Sequence, residues 1–153
     1  LIDPEGLSNR IGTPVFHEHN DDRIHVEGVT LDLMHVDLRS FFTVIGGSLD
    51  ERHFSIPTNN GFIFAKNGDE CDNESGILQV FLLKVVNPET NKKEGYLYKQ
   101  EKLENFPEYA LSPYTSVPPG DCIIIEFAPG KPRTDHICQT YKIALQKGGL
   151  KEI

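Results

Sequence analysis

The apolar residues of this chain fall mostly into short runs with a period of two, broken by turn residues at intervals of about ten positions. Val29, Leu31 and Leu33 alternate with Thr30 and Asp32, the pattern of a half-buried strand within residues 29–38. Residues 41–45, Phe-Phe-Thr-Val-Ile, form a β-rich run closed by Gly46-Gly47. Residues 53–56 and 61–65 flank the turn signal at residues 57–60. Residues 77–86 (ILQVFLLKVV) are the strongest apolar run. Their length would suit a helix, but their Val and Phe content and the turns on both sides predict a strand buried on both faces. Residues 87–91 predict a hairpin turn into residues 95–97, and residues 122–127 predict a further strand. After a turn at residues 128–132 comes a last predicted strand. There Ile137, Gln139, Tyr141, Ile143 and Leu145 share one face, and Cys138, Thr140, Lys142 and Ala144 share the other.

About eight short strands with little helix predict an all-β sandwich or barrel. Residues 1–25 read as an irregular N-terminal arm with one helical turn over residues 5–10, and residues 26–153 as a single domain.

Charge narrows the function. Among 153 residues, 15 are Lys or Arg and 23 are Asp or Glu, a formal net charge of −8. A nucleic-acid binder would carry the opposite sign, whereas a cationic partner fits. No stretch is long and apolar enough to span a bilayer, and no signal-peptide pattern opens the sequence. Cys71, Cys122 and Cys138 are an odd number without a CxxC pair, so they suggest neither a disulfide framework nor zinc. One bridge with a spare thiol would suit a secreted protein, but a reducing, cytoplasmic location is the simpler expectation.

Candidate chemistry is sparse. His17, His19 and His25 with Glu18 and Glu27 resemble a metal patch, but the spacing meets only the first element of a cupin-type site, and a solvated arm is the plainer reading. Cys122 and Cys138 carry no nucleophile signature and suit a core. GxSxG is absent. Gly46-Gly47 lacks the Lys-Ser/Thr of a phosphate loop. Residues 69–74 lack the offsets of an EF-hand. These residues predict no enzyme, no cofactor and no metal, only an acidic β protein that binds something.

Two segments carry a resemblance. Thr134-Asp135-His136, followed by residues 137–147, resembles the turn and closing strand of Rho GDP-dissociation inhibitors. Residues 111–120 (LSPYTSVPPG) resemble that family's Leu-Thr-Pro…Pro-x-Gly loop. Shorter echoes occur in order at residues 7–11, at Val29-Thr30-Leu31, from Gly46-Gly47 to Phe54-Ser55-Ile56, and at Ser75-Gly76. There are departures too. The family's acidic run before Thr-Asp-His is replaced by Pro129-Gly130-Lys131-Pro132-Arg133, Tyr141 stands where a tryptophan is common, and most of the regulatory arm is missing.

The resemblance implies an immunoglobulin-like β-sandwich of about eight or nine antiparallel strands. Its sheets would part to take the prenyl tail of a small Rho-type GTPase and hold that GTPase soluble, without membrane insertion and with little inhibition of nucleotide exchange. Burying an isoprenoid is worth about 0.8 kcal/mol per methylene, so such a pocket must be dry to compete with a bilayer. It implies a pocket at Leu31, Phe54, Ile123 and Tyr141, and strand alternation adds Leu82, Ile125 and Phe127. Asp69, Glu70, Asp72 and Glu74 would attract the basic stretch beside the lipid. The alternatives are an interaction module with a solid core and no lipid site, and a small metal-dependent β-barrel enzyme.

Overall fold

The computed structural model describes residues 11–12, 16–18, 24–26, 36–89, 94–111 and 119–153. The chain is mostly β with several antiparallel sheets and little helix, consistent with an all-β sandwich. The described residues divide between two compact units: residues 1–67 with 105–114, and residues 68–104 with 115–153.

In the first unit, β1 (Ile11–Gly12), β2 (Phe16–Glu18) and β3 (His25–Val26) form an antiparallel ladder, so ordered pairing replaces the irregular arm at those positions. The run predicted as a strand at residues 41–45 is helical instead: α1 spans Leu38–Val44. The Asp37 carboxylate caps it by accepting from the Ser40 N–H at 2.7 Å, and Leu38, Phe41 and Phe42 turn inward. Val36 and Asp37 lie outside a strand apart from one bridge to Ala110, while residues 27–35 fall outside the described residues. β4 (Ser48–Leu49), β5 (His53–Thr58) and β6 (Gly61–Lys66) form an antiparallel sheet. The predicted turn between β5 and β6 is present: Thr58 pairs with Gly61, and the Thr58 hydroxyl donates to the Gly61 carbonyl at 2.6 Å.

The second unit is built on a four-stranded sheet in the order β11-β9-β10-β12, from β9 (Ile77–Val85), β10 (Tyr96–Leu103), β11 (Cys122–Ala128) and β12 (Leu150–Glu152). β9 is buried along almost its whole length, as its continuous apolar run requires. β12 runs parallel to β10, the one departure from antiparallel pairing in this sheet. The acidic segment is a tight hairpin of β7 (Glu70–Cys71) and β8 (Glu74–Ser75), with Asp72 and Asn73 both at positive φ. Two such residues make the primed turn that matches strand twist. Gly76 follows because a Cβ there would lie 2.4 Å from the Phe127 ring.

The largest correction concerns the predicted last strand. Residues 139–146 are a helix, α2 (Gln139–Gln146), followed by β12. The Gly148 N–H bonds to the Leu145 carbonyl at 3.0 Å and the Gly149 N–H to the Ala144 carbonyl at 2.9 Å, closing the helix with Gly148 at φ 70°. α2 carries the chain from β11 at one edge of the sheet to β12 at the other. Tyr141 of α2 packs with Leu83, Val85, Tyr98, Cys122 and Leu150 to form the core between helix and sheet. Cys122 and Cys138 are joined in a disulfide, which corrects the expectation of reduced thiols; Cys71 is free.

Candidate functional site

The register of β9 and β11 sorts the predicted pocket residues. Leu82 pairs with Ile123 and Val80 with Ile125. Side chains alternate along a strand, so Leu82, Ile123, Ile125 and Phe127 share one face of the sheet with Leu78 and Val80. Leu83, Cys122 and Ile124 point to the other face, beneath α2. Tyr141 belongs to that second face. It is 0% exposed and meets Tyr98 edge to face at 5.3 Å. Its hydroxyl lies 2.8 Å from the carbonyl oxygens of both Leu83 and Gly120. Burial, with smaller contributions from Asp121 and Tyr98, pushes its phenol well above the ordinary value. Phe54 is half-buried on β5 in the first unit, opposite Leu49 and Ala65. Leu31 lies outside the described residues. The pocket residues are therefore only partly gathered: Leu82, Ile123 and Ile125 together, Tyr141 on the opposite face.

A polar layer, unpredicted from sequence, covers the α2 side of the sheet next to Tyr141. Gln79 is 1% exposed and fully satisfied. Its amide nitrogen donates to the carbonyls of Ala128 and Pro129, and its oxygen accepts from Lys102 Nζ at 2.8 Å and the Lys131 N–H at 3.1 Å. Gln100 pairs with both backbone groups of Thr134. Glu126 accepts from the Thr134 hydroxyl and meets Lys131 Nζ at 2.7 Å, with His136 Nε2 4.0 Å away. Burial alone would raise the Glu126 carboxyl, but the Lys131 and Thr134 bonds outweigh it and hold the carboxyl below the usual range. The resemblance to a Thr-Asp-His turn thus falls on residues that pin the 129–136 loop to the sheet. Beside them, Ile124 to Ala128, Lys131 and His136 border an open groove of about 340 Å³.

Asp69, Glu70, Asp72 and Glu74 are all exposed, on or just before the β7–β8 hairpin. His17 and His25 are register partners across β2 and β3, while His19 and Glu27 lie outside the described residues.

The most unusual surface is β6. Phe62 is 63% exposed, Ile63 56% and Phe64 74%. Three consecutive large apolar residues on an edge strand leave both of its faces open, because Phe62 and Phe64 point one way and Ile63 the other. β6 is the last strand of its sheet among the described residues. Its signal in the sequence is the stretch from Phe54 to Ala65, which holds no charged residue.

These features define an all-β chain with a filled, disulfide-tied sheet unit and an uncovered apolar strand. Among the described residues no helix is long and apolar enough to cross a membrane. Comparison with protein-family models, with curated proteins and with solved structures finds no match.

Proposed function

We propose that this chain is a non-enzymatic interaction module with a solid core, which engages its partner through exposed strand surface and not by enclosing a lipid. The observation that carries the reading is Tyr141. It occupies the space between α2 and the sheet, is fully buried, and has its hydroxyl placed against the carbonyls of Leu83 and Gly120. A prenyl chain entering there would displace the ring and take its hydroxyl donor away from the carbonyls of Leu83 and Gly120, a cost that an apolar tail does not repay. Residues 139–146, within the segment that carries the family resemblance as a closing strand, form the helix α2.

A prenyl-binding carrier resembling a Rho GDP-dissociation inhibitor is the second reading. It draws on the apolar face shared by Leu82, Ile123, Ile125 and Phe127. The disulfide supports an oxidising compartment in place of the cytoplasm, where glutathione keeps thiols reduced. The deciding experiment is titration with a fluorescent geranylgeranyl-cysteine peptide. The module reading expects no saturable binding. Saturable binding lost in Ile123→Glu or Ile125→Glu would replace it with the carrier.

A further inference from the structure

We infer that β6 is a self-pairing edge, and that its partner is the same strand of a second copy of this chain. The inference rests on the reading of the chain as an interaction module and names that module's partner.

An antiparallel pair of identical strands has a two-fold axis, so residue numbers across it sum to a constant. With the axis on Ile63, each Ile63 faces its own copy. Phe62 then faces Phe64 of the second copy, Phe64 faces Phe62, and Lys66 faces Asn60. Phe62, Ile63 and Phe64 thus each meet a large apolar side chain, Ala65 meets Gly61, and the terminal lysine meets a neutral amide. Directly opposed aromatic and β-branched pairs are stabilising cross-strand partners. The neighbouring strand extends the match. Ile56 lies beside Ile63 and Pro57 beside Phe62 in the β5–β6 register, so one face of the joined sheet would carry four isoleucines in a row.

Two observations favour a second copy over a bilayer. The tip of the hairpin is Thr58-Asn59-Asn60-Gly61, all exposed and polar or small, and a tip-first insertion would take two asparagine side chains out of water. The apolar residues instead follow the tip, along the edge that a lateral strand would cover. The stretch from Phe54 to Ala65 is also free of charge in a chain of net charge −8, so self-contact opposes no like charges at the seam.

Area sets the strength. Phe62, Ile63 and Phe64 offer roughly 300–400 Å² of exposed apolar side chain per copy at ordinary side-chain areas, against about 800 Å² per partner in a standard stable interface. The dimer is therefore weak and concentration-dependent.

Sedimentation of the whole chain, from low micromolar to millimolar concentration, tests this. The weight-average mass should rise toward that of two chains, and Phe64→Lys should hold it at one. Phe64 is exposed enough for that substitution to leave the fold intact, checked by far-UV circular dichroism. Register is read by cross-linking in a Cys71→Ser background, with copper phenanthroline and oxygen as oxidant. Ile63→Cys should link to itself, whereas Phe62→Cys and Phe64→Cys should link mainly when mixed. A constant one-chain mass, a dimer unaffected by Phe64→Lys, or an Ile63→Cys chain that links no faster than Phe62→Cys would each overturn the inference. So would a monomer that sediments with phosphatidylcholine vesicles, which would assign the strand to lipid. These outcomes leave the module reading standing, because only prenyl-peptide binding removes it.

Discussion

Single side chains decide whether the second unit is a plugged core or a pocket. Tyr141 is the plug, and its hydroxyl proton can go to only one of the two carbonyls it faces at a time. Tyr141→Phe removes the donor while keeping the ring, and should cost about 1–2 kcal/mol in chemical denaturation. Tyr141→Ala also opens a cavity, and should cost about 3–5 kcal/mol. If Tyr141→Ala gains saturable binding of an apolar probe that the wild type lacks, the ring is what keeps the site closed. Glu126 gives a second residue-scale outcome. Its carboxyl is held below its unfolded value, chiefly because Lys131 and Thr134 outweigh burial. A depressed folded value means the stabilisation is complete above the unfolded carboxylate range and is lost as pH falls through the folded one. Wild type and Glu126→Gln should therefore differ in stability at neutral pH, and the difference should shrink in acid. Asp50, also held low by the backbone N–H groups of Arg52 and His53 despite some burial, is common to both proteins and cancels in that comparison.

Elements were legible where one physical signal dominated. β9 could be read because seven of its nine residues are apolar, with one polar residue on each face, Gln79 and Lys84. The β5–β6 hairpin was marked by its turn residues. α2 was misread because Ile137, Tyr141, Ile143 and Leu145 fit a period of two, while Ile137, Cys138, Tyr141, Ala144 and Leu145 fit a helix equally well. The core packs against the second set, and Ile143 is 39% exposed. The deciding signal is Gly148-Gly149, a helix stop just beyond residue 146. α1 was misread for a similar reason: aromatic and β-branched residues suggested a strand, while the Asp37 cap, a local hydrogen bond, outweighed propensity. The candidate pocket fared by element as well. Leu82, Ile123 and Ile125 came together because strand pairing follows from alternation, but Tyr141 moved to the other face once its strand became a helix. At this scale the disulfide has a measurable role, since it ties β11 to the first turn of α2 across a sequence separation of 16. Closing a loop of about this length is worth roughly 3 kcal/mol. Cys122→Ser with Cys138→Ser should lower thermal stability by about 6–12 °C at the slope usual for a chain of this size, while Cys71→Ser should leave it nearly unchanged.

For the whole molecule, the net charge of −8 assigns opposite signs of salt dependence to the two kinds of partner. A basic tail drawn to Asp69, Glu70, Asp72 and Glu74 would bind more weakly as salt rises, because screening removes the attraction. A second copy carries the same excess negative charge, so the long-range force opposes association while the apolar seam at Phe62, Ile63 and Phe64 favours it. Screening removes the opposition and leaves the apolar contact untouched. Self-association should therefore tighten as ionic strength rises from about 0.01 to 0.15 M, over which the Debye length falls from roughly 30 to 8 Å. Sedimentation at a fixed protein concentration across that range is the measurement. Asp72→Asn with Glu74→Gln removes two negative charges from exposed positions outside β6, and should tighten the dimer at low salt with little effect at high salt. A dimer that loosens with salt would mean that opposite charges, not Phe62, Ile63 and Phe64, hold the two copies together.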